Sequence, residues 1–580
     1  MIPLTQLNAL SAPDFAAALA TVFEHSPWVP QRVAAARPFA SGVALHQSMC
    51  DAVMQADESL QLALIRAHPE LAGRAAIRGD LTQASTTEQK EAGLASCTRE
   101  QFELLQSLNA AYGARFAFPF VLAVKGHTPQ SVIATLQQRI LHEPAVEHRV
   151  ALNEICRIAR FRLADLVDDS LGAAIIAMAE DLARFSETPD MLSCSYLTPA
   201  HLATAARIRD FMLAAGLAVH VDAVGNVVGV LHGDGRTLKR LLTGSHYDTV
   251  INAGKFDGRL GIVLPIAVAG ALRRAGSTLP YTLEIIAFAE EEGVRFKSTF
   301  LGSRAVAGRF DPQALDSTDL EGISLREAIL AAGNDPAAIP AIARDPDEVG
   351  AFVEVHIEQG PVLLDAGAAV GVVTSIAGSI RRIVTVEGLS GHAGTVPMPL
   401  RRDAAAAAAE MVLAVERRCS SEPGLVGTVG KLDVPGGAIN VIPGRCEFSI
   451  DIRSGVDAVR DRAAADISAE FEKIALRRGV RVEQRTVLEA AGVPCAPALM
   501  DAWSASVQRV TGAGAPRLPS GAGHDAMMMA SLTDIGMLFV RCGNGGISHH
   551  PLETLSAADA EVAAQVFQDF LQHARMDSPK

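Results

Sequence analysis

The stretch LLTGSHYDTVINAGKFDGRLG, residues 241–261, decides how the larger part of this chain is read. It opens as an apolar run, closes on His246, and then carries Asp248 and, inside a Gly-rich loop, Asp257. Ligands of open α/β sheets bind beyond the carboxyl ends of the strands, so these side chains stand where chemistry is expected. Three more runs end alike: TLEIIAFAEEEG (282–293) delivers Glu290, Glu291 and Glu292, AFVEVHIEQG (351–360) carries His356, and MLFVRCGNGGISHHP (537–551) leads to His549. Each has a plainer reading when taken alone. A strand-end His is commonly structural, three adjacent Glu form a solvated turn, and Asp-Gly is a turn because Gly accepts positive φ. That all four coincide at strand exits favours one shared site.

The residue types fit a metal centre. Imidazole and carboxylate without thiolate suit zinc, manganese or a similar divalent ion. A carboxylate such as Asp257 has two oxygens and can bridge two ions, and a pair about 3.5–4 Å apart can activate a water while polarising a carbonyl. Asp248, two residues after His246, can reach the other ring nitrogen and fix its tautomer. A second Glu beside a metal-bound one can act as general base.

Working outward, short β-branched runs alternate with Ala-rich helices from about residue 198, the texture of an α/β sheet. Between about 378 and 489 come the strands GLVGTVGKLDV, RCEFSIDIR and VRVEQRTVLEA and two helices, an inserted α+β subdomain. The catalytic α/β domain is therefore expected to be discontinuous, 170–377 and 490–580. Before residue 168 the spacing is helical throughout, as in TEQKEAGLASCTREQFELLQSLNAAYGARF and AVEHRVALNEICRIARFRLADLV, with no convincing strand. The expected architecture is multidomain: an all-α unit over 1–168, then the α/β domain with its inserted subdomain.

The 580 residues exceed one ordinary core, and with 49% apolar residues and 20% charged ones they read as globular. A formal charge of −14 leaves no basic stripe for a phosphate backbone, so nucleic acid is not expected as a partner. No apolar run reaches the roughly 18 residues of a membrane span, and the first basic residue is Arg32, so neither membrane nor secretory signal is expected and the chain is placed in the cytoplasm. Eight cysteines without a CxxC pair read as reduced thiols rather than a disulfide frame or a thiolate metal site.

The motifs GSHYDTV, GKFDGRLG, FAEEEGVRF, HIEQG, GHAGTVPM, GAGHDAM and GISHHPLE, in this order, resemble the M20 peptidase-like amidohydrolases, in particular allantoate amidohydrolases and N-carbamoyl-L-amino acid hydrolases, over essentially everything after residue 170. The resemblance implies His246, bridging Asp257 and His356 around one ion, Asp257, Glu292 and His549 around the other, and Glu291 as base. It makes the inserted subdomain a lid, usually also the homodimer contact. There His392 (GHAGTVPM), Asn440 (INVIP) and Arg453 (DIR) correspond to residues that meet substrate, with Gln359 and His524 lining the same pocket. Taken alone, His392 is an ordinary loop His and Arg453 an ion-pair residue. The implied reaction is attack of an activated water on a terminal carbamoyl carbonyl, releasing ammonia and a carbamate or carbon dioxide.

In the first 168 residues, VFEHSPWV, AHPELAG, STTEQKEAGL, YGARFAFPFVLAVKG and ALNEICRIARFRL carry faint chemistry by themselves. Ser85–Glu88 is a capping box, His68 before Pro69 looks like a helix entry, and Arg157, Arg160 and Arg162 form a solvated basic face. Together they resemble the 2-oxo-4-hydroxy-4-carboxy-5-ureidoimidazoline (OHCU) decarboxylases. That resemblance implies His68 and Glu88 as the catalytic pair and Ser85, Gln89 and Arg115 as holders of an anionic substrate, with no cofactor and S-allantoin as product. A neighbouring Glu would tune the His near neutral pH. Ala117 stands where the family usually has Gly; its methyl could crowd the loop, but the flanking residues agree and activity is expected to survive.

The joined expectation is a bifunctional ureide-degrading enzyme whose partners are small ureides. The alternatives are an N-carbamoyl amino acid or ureidopropionate hydrolase in the second half, or an inactive M20-like scaffold. For the first unit the non-enzymatic alternative is an oligomerisation module.

Overall fold

The computed structural model describes residues 1–39, 42–71, 85–86, 97–125 and 127–575. The chain divides into two compact units, Met1–Ala177 and Met178–Lys580. The division falls within the helix Leu171–Leu182, a few residues beyond the expected boundary.

The first unit is built from helices packed around one apolar cluster that includes Phe15, Leu45, Leu64, Tyr112, Phe120, Leu136 and Ile155. Its longest helix, Pro144–Leu166, buries Ala151, Leu152, Ile155, Ile158, Ala159 and Leu163, the spacing of three and four seen in the sequence. Strand pairing is nevertheless present: Ile2–Pro3 pairs in parallel with Val167–Asp168 and ties the two ends of the unit together. Two residues are too short for an alternating pattern to register. The helix Arg99–Phe116 begins on a Thr98–Gln101 capping box and ends at Ala117 in the left-handed region, φ +61°. Replacing Gly here carries a cost that does not depend on crowding by the methyl. The cost comes from a backbone conformation that L-residues disfavour.

In the second unit a nine-stranded sheet runs Val493–Pro494, Val370–Ile376, Ile535–Val540, Val349–Ile357, Arg240–His246, Thr282–Phe288, Val227–Leu231, Ala218–Val221, with Arg517–Ser520 also on Val370–Ile376, among the described residues. The four strands from Ile535–Val540 to Thr282–Phe288 are mutually parallel. They are buried almost throughout, so they read as continuous apolar runs. The outer strands Val370–Ile376 and Val227–Leu231 pair antiparallel to this block. The carboxyl ends of the parallel strands therefore open side by side, and the polar residues noted in the sequence follow them.

Residues between Gly378 and Ala490 form a second sheet. Gly378–Glu387 lies between Arg445–Ser454 and Arg481–Ala490, antiparallel to both, with Leu425–Thr428 beyond Arg445–Ser454. Helices Ala404–Ser420 and Asp457–Arg478 pack on it over Val384, Met411, Phe448, Ile450 and Phe471. Along Arg445–Ser454 burial alternates strictly: Cys446, Phe448, Ile450 and Ile452 face the helices, which leaves Asp451 and Arg453 together on the other face.

Candidate functional sites

Each unit carries its own site. In the larger unit Asp257 is the hub: its Oδ1 lies 3.6 Å from Nε2 of His246 and 3.3 Å from Nε2 of His356, and its Oδ2 lies 3.3 Å from Nε2 of His549. Nε2 of His549 is also 3.3 Å from Oε1 of Glu292. Two ligands of a tetrahedral ion with bonds of about 2.0–2.1 Å are separated by about 3.3 Å. The donor atoms thus have the spacing of a coordination shell, and a hydrogen-bonded cluster would draw them closer. The groups His246–Asp257–His356 and Asp257–Glu292–His549 share only Asp257, as a bridging carboxylate requires.

The local structure explains how residues far apart in sequence meet. Gly258 has φ +66°, and a Cβ there would lie 2.5 Å from the His246 ring, so the Asp-Gly turn is needed for backbone as well as for ligand. Asp248 accepts the backbone N–H of both Glu291 and Glu292 at 3.1 Å, while its Oδ1 lies 3.4 Å from Nδ1 of His246. It orients one imidazole and fixes the neighbouring strand's exit at once. Nδ1 of His356 is 2.8 Å from the Ile357 carbonyl, which assigns the proton to Nδ1, and Nε2 accepts the Gly258 N–H at 3.1 Å.

Electrostatics follow from crowding these groups out of water. Burial opposes charge on Asp257, yet the adjoining His246 and His356 imidazoles outweigh it and hold its carboxyl well below the usual range. The Glu292 carboxylate beside it raises His549 to about 9 despite partial burial. Glu291 is pushed well above the usual carboxyl range, first by burial and then by Glu292, Asp525 and Asp248, against the pull of His246. The triple Glu is therefore no solvated turn: Glu290 is fully buried, and Glu291 and Glu292 are half-buried.

Other expected residues are distributed unevenly. The Gln359 amide donates to Oδ2 of Asp257 at 2.7 Å, inside the cluster. His524 is buried behind His356, ring centroids 4.5 Å apart, and pairs with the Ser520 hydroxyl at 2.7 Å. Arg453 donates to both oxygens of Asp451 and to the Gly521 carbonyl at 2.6 Å. His392 and Asn440 neighbour each other, since His392 pairs with Val441 and the Ala393 N–H donates to the Asn440 carbonyl at 2.9 Å. Both are exposed, and no hydrogen bond or ion pair joins them to the Asp257 cluster among the described residues. Glu553, at the end of GISHHPLE, had no assigned role. Its Oε1 accepts the N–H of Phe256 at 2.7 Å and of Asp257 at 3.1 Å, so it shapes the loop that presents Asp257.

In the first unit His68 and Ser85 line a small cavity with Phe120, Leu122, Val124, Ile158 and Arg162. His68 is not a helix entry: it caps the C-terminus of Glu58–Ala67, in an extended conformation that the following Pro69 favours. Its Nδ1 donates to the Leu64 carbonyl at 2.9 Å, which leaves the lone pair on Nε2. Burial, with Arg162 and His25, pushes its pKa down to about 4 against Leu64 and Glu24, rather than leaving it near neutral pH.

Arg162 was read as part of a solvated face and is the clearest correction. It is buried, with Nη1 2.6 Å from Glu24 and Nη2 3.1 Å from the Ser85 hydroxyl, and Ser85 also reaches Glu24 at 3.2 Å. Arg157, by contrast, is exposed and pairs with Glu154 one turn back. Arg115, expected to hold substrate, is exposed and donates to the His142 carbonyl at 2.9 Å. Helix phase separates Arg157 from Arg162 on Pro144–Leu166: one side of the helix meets the core and the other meets water. Glu88 and Gln89 lie outside the described residues.

Comparison with known proteins agrees with this division. The sequence model described as OHCU decarboxylase matches residues 8–164, and that of peptidase family M20/M25/M40 matches 242–573. An N-carbamoyl-L-amino acid amidohydrolase of Geobacillus stearothermophilus is 43% identical over 361 residues, 62% of this chain and 87% of its own. Allantoate deiminase of Arabidopsis thaliana is 39% identical over 438 residues, 70% of this chain and 83% of its own. A crystal structure of a hydantoinase/carbamoylase-family amidase from Burkholderia multivorans superposes with TM-score 0.65 at 30% identity, covering 69% of this chain and 97% of its own. Among the described residues no helix is long and apolar enough to cross a membrane.

Proposed function

Because this chain belongs to peptidase family M20/M25/M40 over its larger part and to the OHCU decarboxylases over its first, we propose that it is a bifunctional enzyme of ureide breakdown. The first unit would decarboxylate 2-oxo-4-hydroxy-4-carboxy-5-ureidoimidazoline to S-allantoin, and the second would hydrolyse allantoate to ureidoglycine, ammonia and carbon dioxide. The observation that carries the hydrolase is the Asp257 hub, with imidazole and carboxylate donors at coordination spacing on both of its oxygens.

His246, Asp257 and His356 would hold one divalent ion and Asp257, Glu292 and His549 the other. Such ions, when bound, supply Lewis acidity toward the scissile carbonyl and toward water. Glu291 takes the proton of the attacking water and passes it to the departing nitrogen, the task of a carboxylate beside the ions. Arg453, which holds both oxygens of Asp451, would receive a substrate carboxylate as a bidentate partner in exchange. His392 and Asn440 belong to the subdomain between Gly378 and Ala490 and reach substrate when it closes, or from a second copy. The exposed Leu389, Leu432 and Ile439 of that subdomain support a homodimer contact there.

In the first unit no cofactor is needed, because conjugated carbonyl and imine groups of the substrate accept the electrons left by carbon dioxide. Arg162 holds the anion, apolar walls disfavour the carboxylate relative to neutral carbon dioxide, and Nε2 of His68 handles the proton.

The test is turnover by the purified full chain. Allantoate and N-carbamoyl amino acids are compared with manganese or zinc supplied, and OHCU decay is followed separately. The greater identity to the Geobacillus enzyme favours carbamoyl amino acids as second reading. Turnover of those alone would replace allantoate, and turnover of neither, with metal bound, would overturn the hydrolase.

A further inference from the structure

Two helices of the first unit, Gly42–Met54 and Pro144–Leu166, pack against each other and carry Cys50 and Cys156 toward one another. The two thiols interact side chain to side chain. His46, one turn before Cys50, bridges the pair: its Nε2 lies 2.8 Å from the Cys156 carbonyl oxygen and 3.3 Å from Sγ of Cys50. Each cysteine is 8% exposed, close enough to the surface for a small oxidant and sheltered from large ones. Nothing in either proposed reaction uses these three residues.

We propose that Cys50 and Cys156 form a reversible disulfide, so that a hydroperoxide cross-links these two helices in the folded chain.

The groups divide the chemistry between them. Interaction with Cys50 draws the Cys156 thiol pKa down, whereas Cys50 is held strongly protonated by Cys156 and by burial. Cys156 is accordingly the first nucleophile, because the thiolate is the reactive form. Its sulfur attacks one peroxide oxygen, the O–O bond breaks, and hydroxide leaves and takes up the Cys156 proton as water. The resulting sulfenic acid is attacked by Cys50: the S–S bond forms, the S–O bond breaks, and the second hydroxide leaves with the Cys50 proton as water. Two thiols lose two electrons in all, and one peroxide is reduced to two waters. An N–H at Nε2 of His46, shared between the Cys156 carbonyl and the Cys50 sulfur, stabilises negative charge on Cys50 as its proton departs. A dithiol reverses the bond by exchange.

The reduced full-length chain is treated with hydrogen peroxide near stoichiometry, alkylated, and mapped by mass spectrometry without reduction. Free thiols should fall from eight to six, with one linked peptide pair containing Cys50 and Cys156 and lighter by two hydrogens, and dithiothreitol should restore all eight. Cys50→Ser should stop at a sulfenic acid on Cys156 that a cyclic 1,3-diketone traps, and Cys156→Ser should leave Cys50 unmodified. Retention of all eight thiols, prior oxidation of the half-buried Cys97, or a link through any other cysteine would overturn the proposal. These outcomes are independent of either enzymatic reading, since they are read on the thiols alone.

Discussion

Arg162 and Glu24 form an ion pair at 2.6 Å with side chains only 7% and 2% exposed, joining residues 138 positions apart at the wall of the His68 cavity. A charge pair so withdrawn from water is costly to leave half-made, and beside His68 it fits a positioning role in the proposed decarboxylation. Replacing Glu24 by Gln removes the charge and keeps the shape. Decarboxylation kcat/KM should fall by about tenfold or more, and stability by roughly 2–5 kcal/mol as the guanidinium loses its partner. Steady-state kinetics and urea unfolding check both, while hydrolysis by the other unit stays unchanged.

His68 gives a pH signature. Its folded pKa, about 4, lies below the unfolded value of about 6.5, so the unfolded chain takes up a proton that the folded one refuses. The stability held above pH 6.5 is therefore lost as pH falls toward 4. Decarboxylation should retain a neutral imidazole down to about pH 4. An acid limb near 6.5 in the pH–rate profile would refute this assignment, and His68→Ala should abolish turnover.

Metal uptake should release protons. In the metal-free protein Glu292 raises His549 to about 9, so this imidazole carries a proton at pH 7 that a ligated metal must displace. Apparent affinity should rise as pH climbs toward 9 and fall on acidification. Calorimetry in buffers of different ionisation enthalpy measures the proton count directly.

Glu291→Ala should separate binding from catalysis. If Glu291 is the base and Glu292 the ligand, metal content stays at the wild-type level while hydrolysis falls by about 10²–10⁴. Loss of metal in the Glu291 variant would exchange the roles of the two residues.

Ala117→Gly should stabilise the first unit. At φ +61° Ala meets a steric cost that Gly avoids, so unfolding should become harder by about 1 kcal/mol, read as a higher denaturation midpoint.

Sequence alone determined which elements form and where chemistry gathers. Period-two and period-three-to-four burial, turn glycines and strand-end polar residues are local properties, and they placed His246, Asp257, Glu291, Glu292, His356 and His549 beside one another through the rule that parallel strands open their carboxyl ends together. Tertiary structure alone decided what each polar side chain faces. Arg157 and Arg162 differ by five positions on one helix, yet one pairs with Glu154 in water and the other is buried against Glu24. Nothing local distinguishes them, because the helix's rotation against the core settles the matter. Glu553 likewise gains its role only when the turn after Ile535–Val540 folds back onto the Asp257 loop, nearly 300 residues away in the chain. Contacts of that range depend on the completed sheet, and no short window of sequence contains both partners.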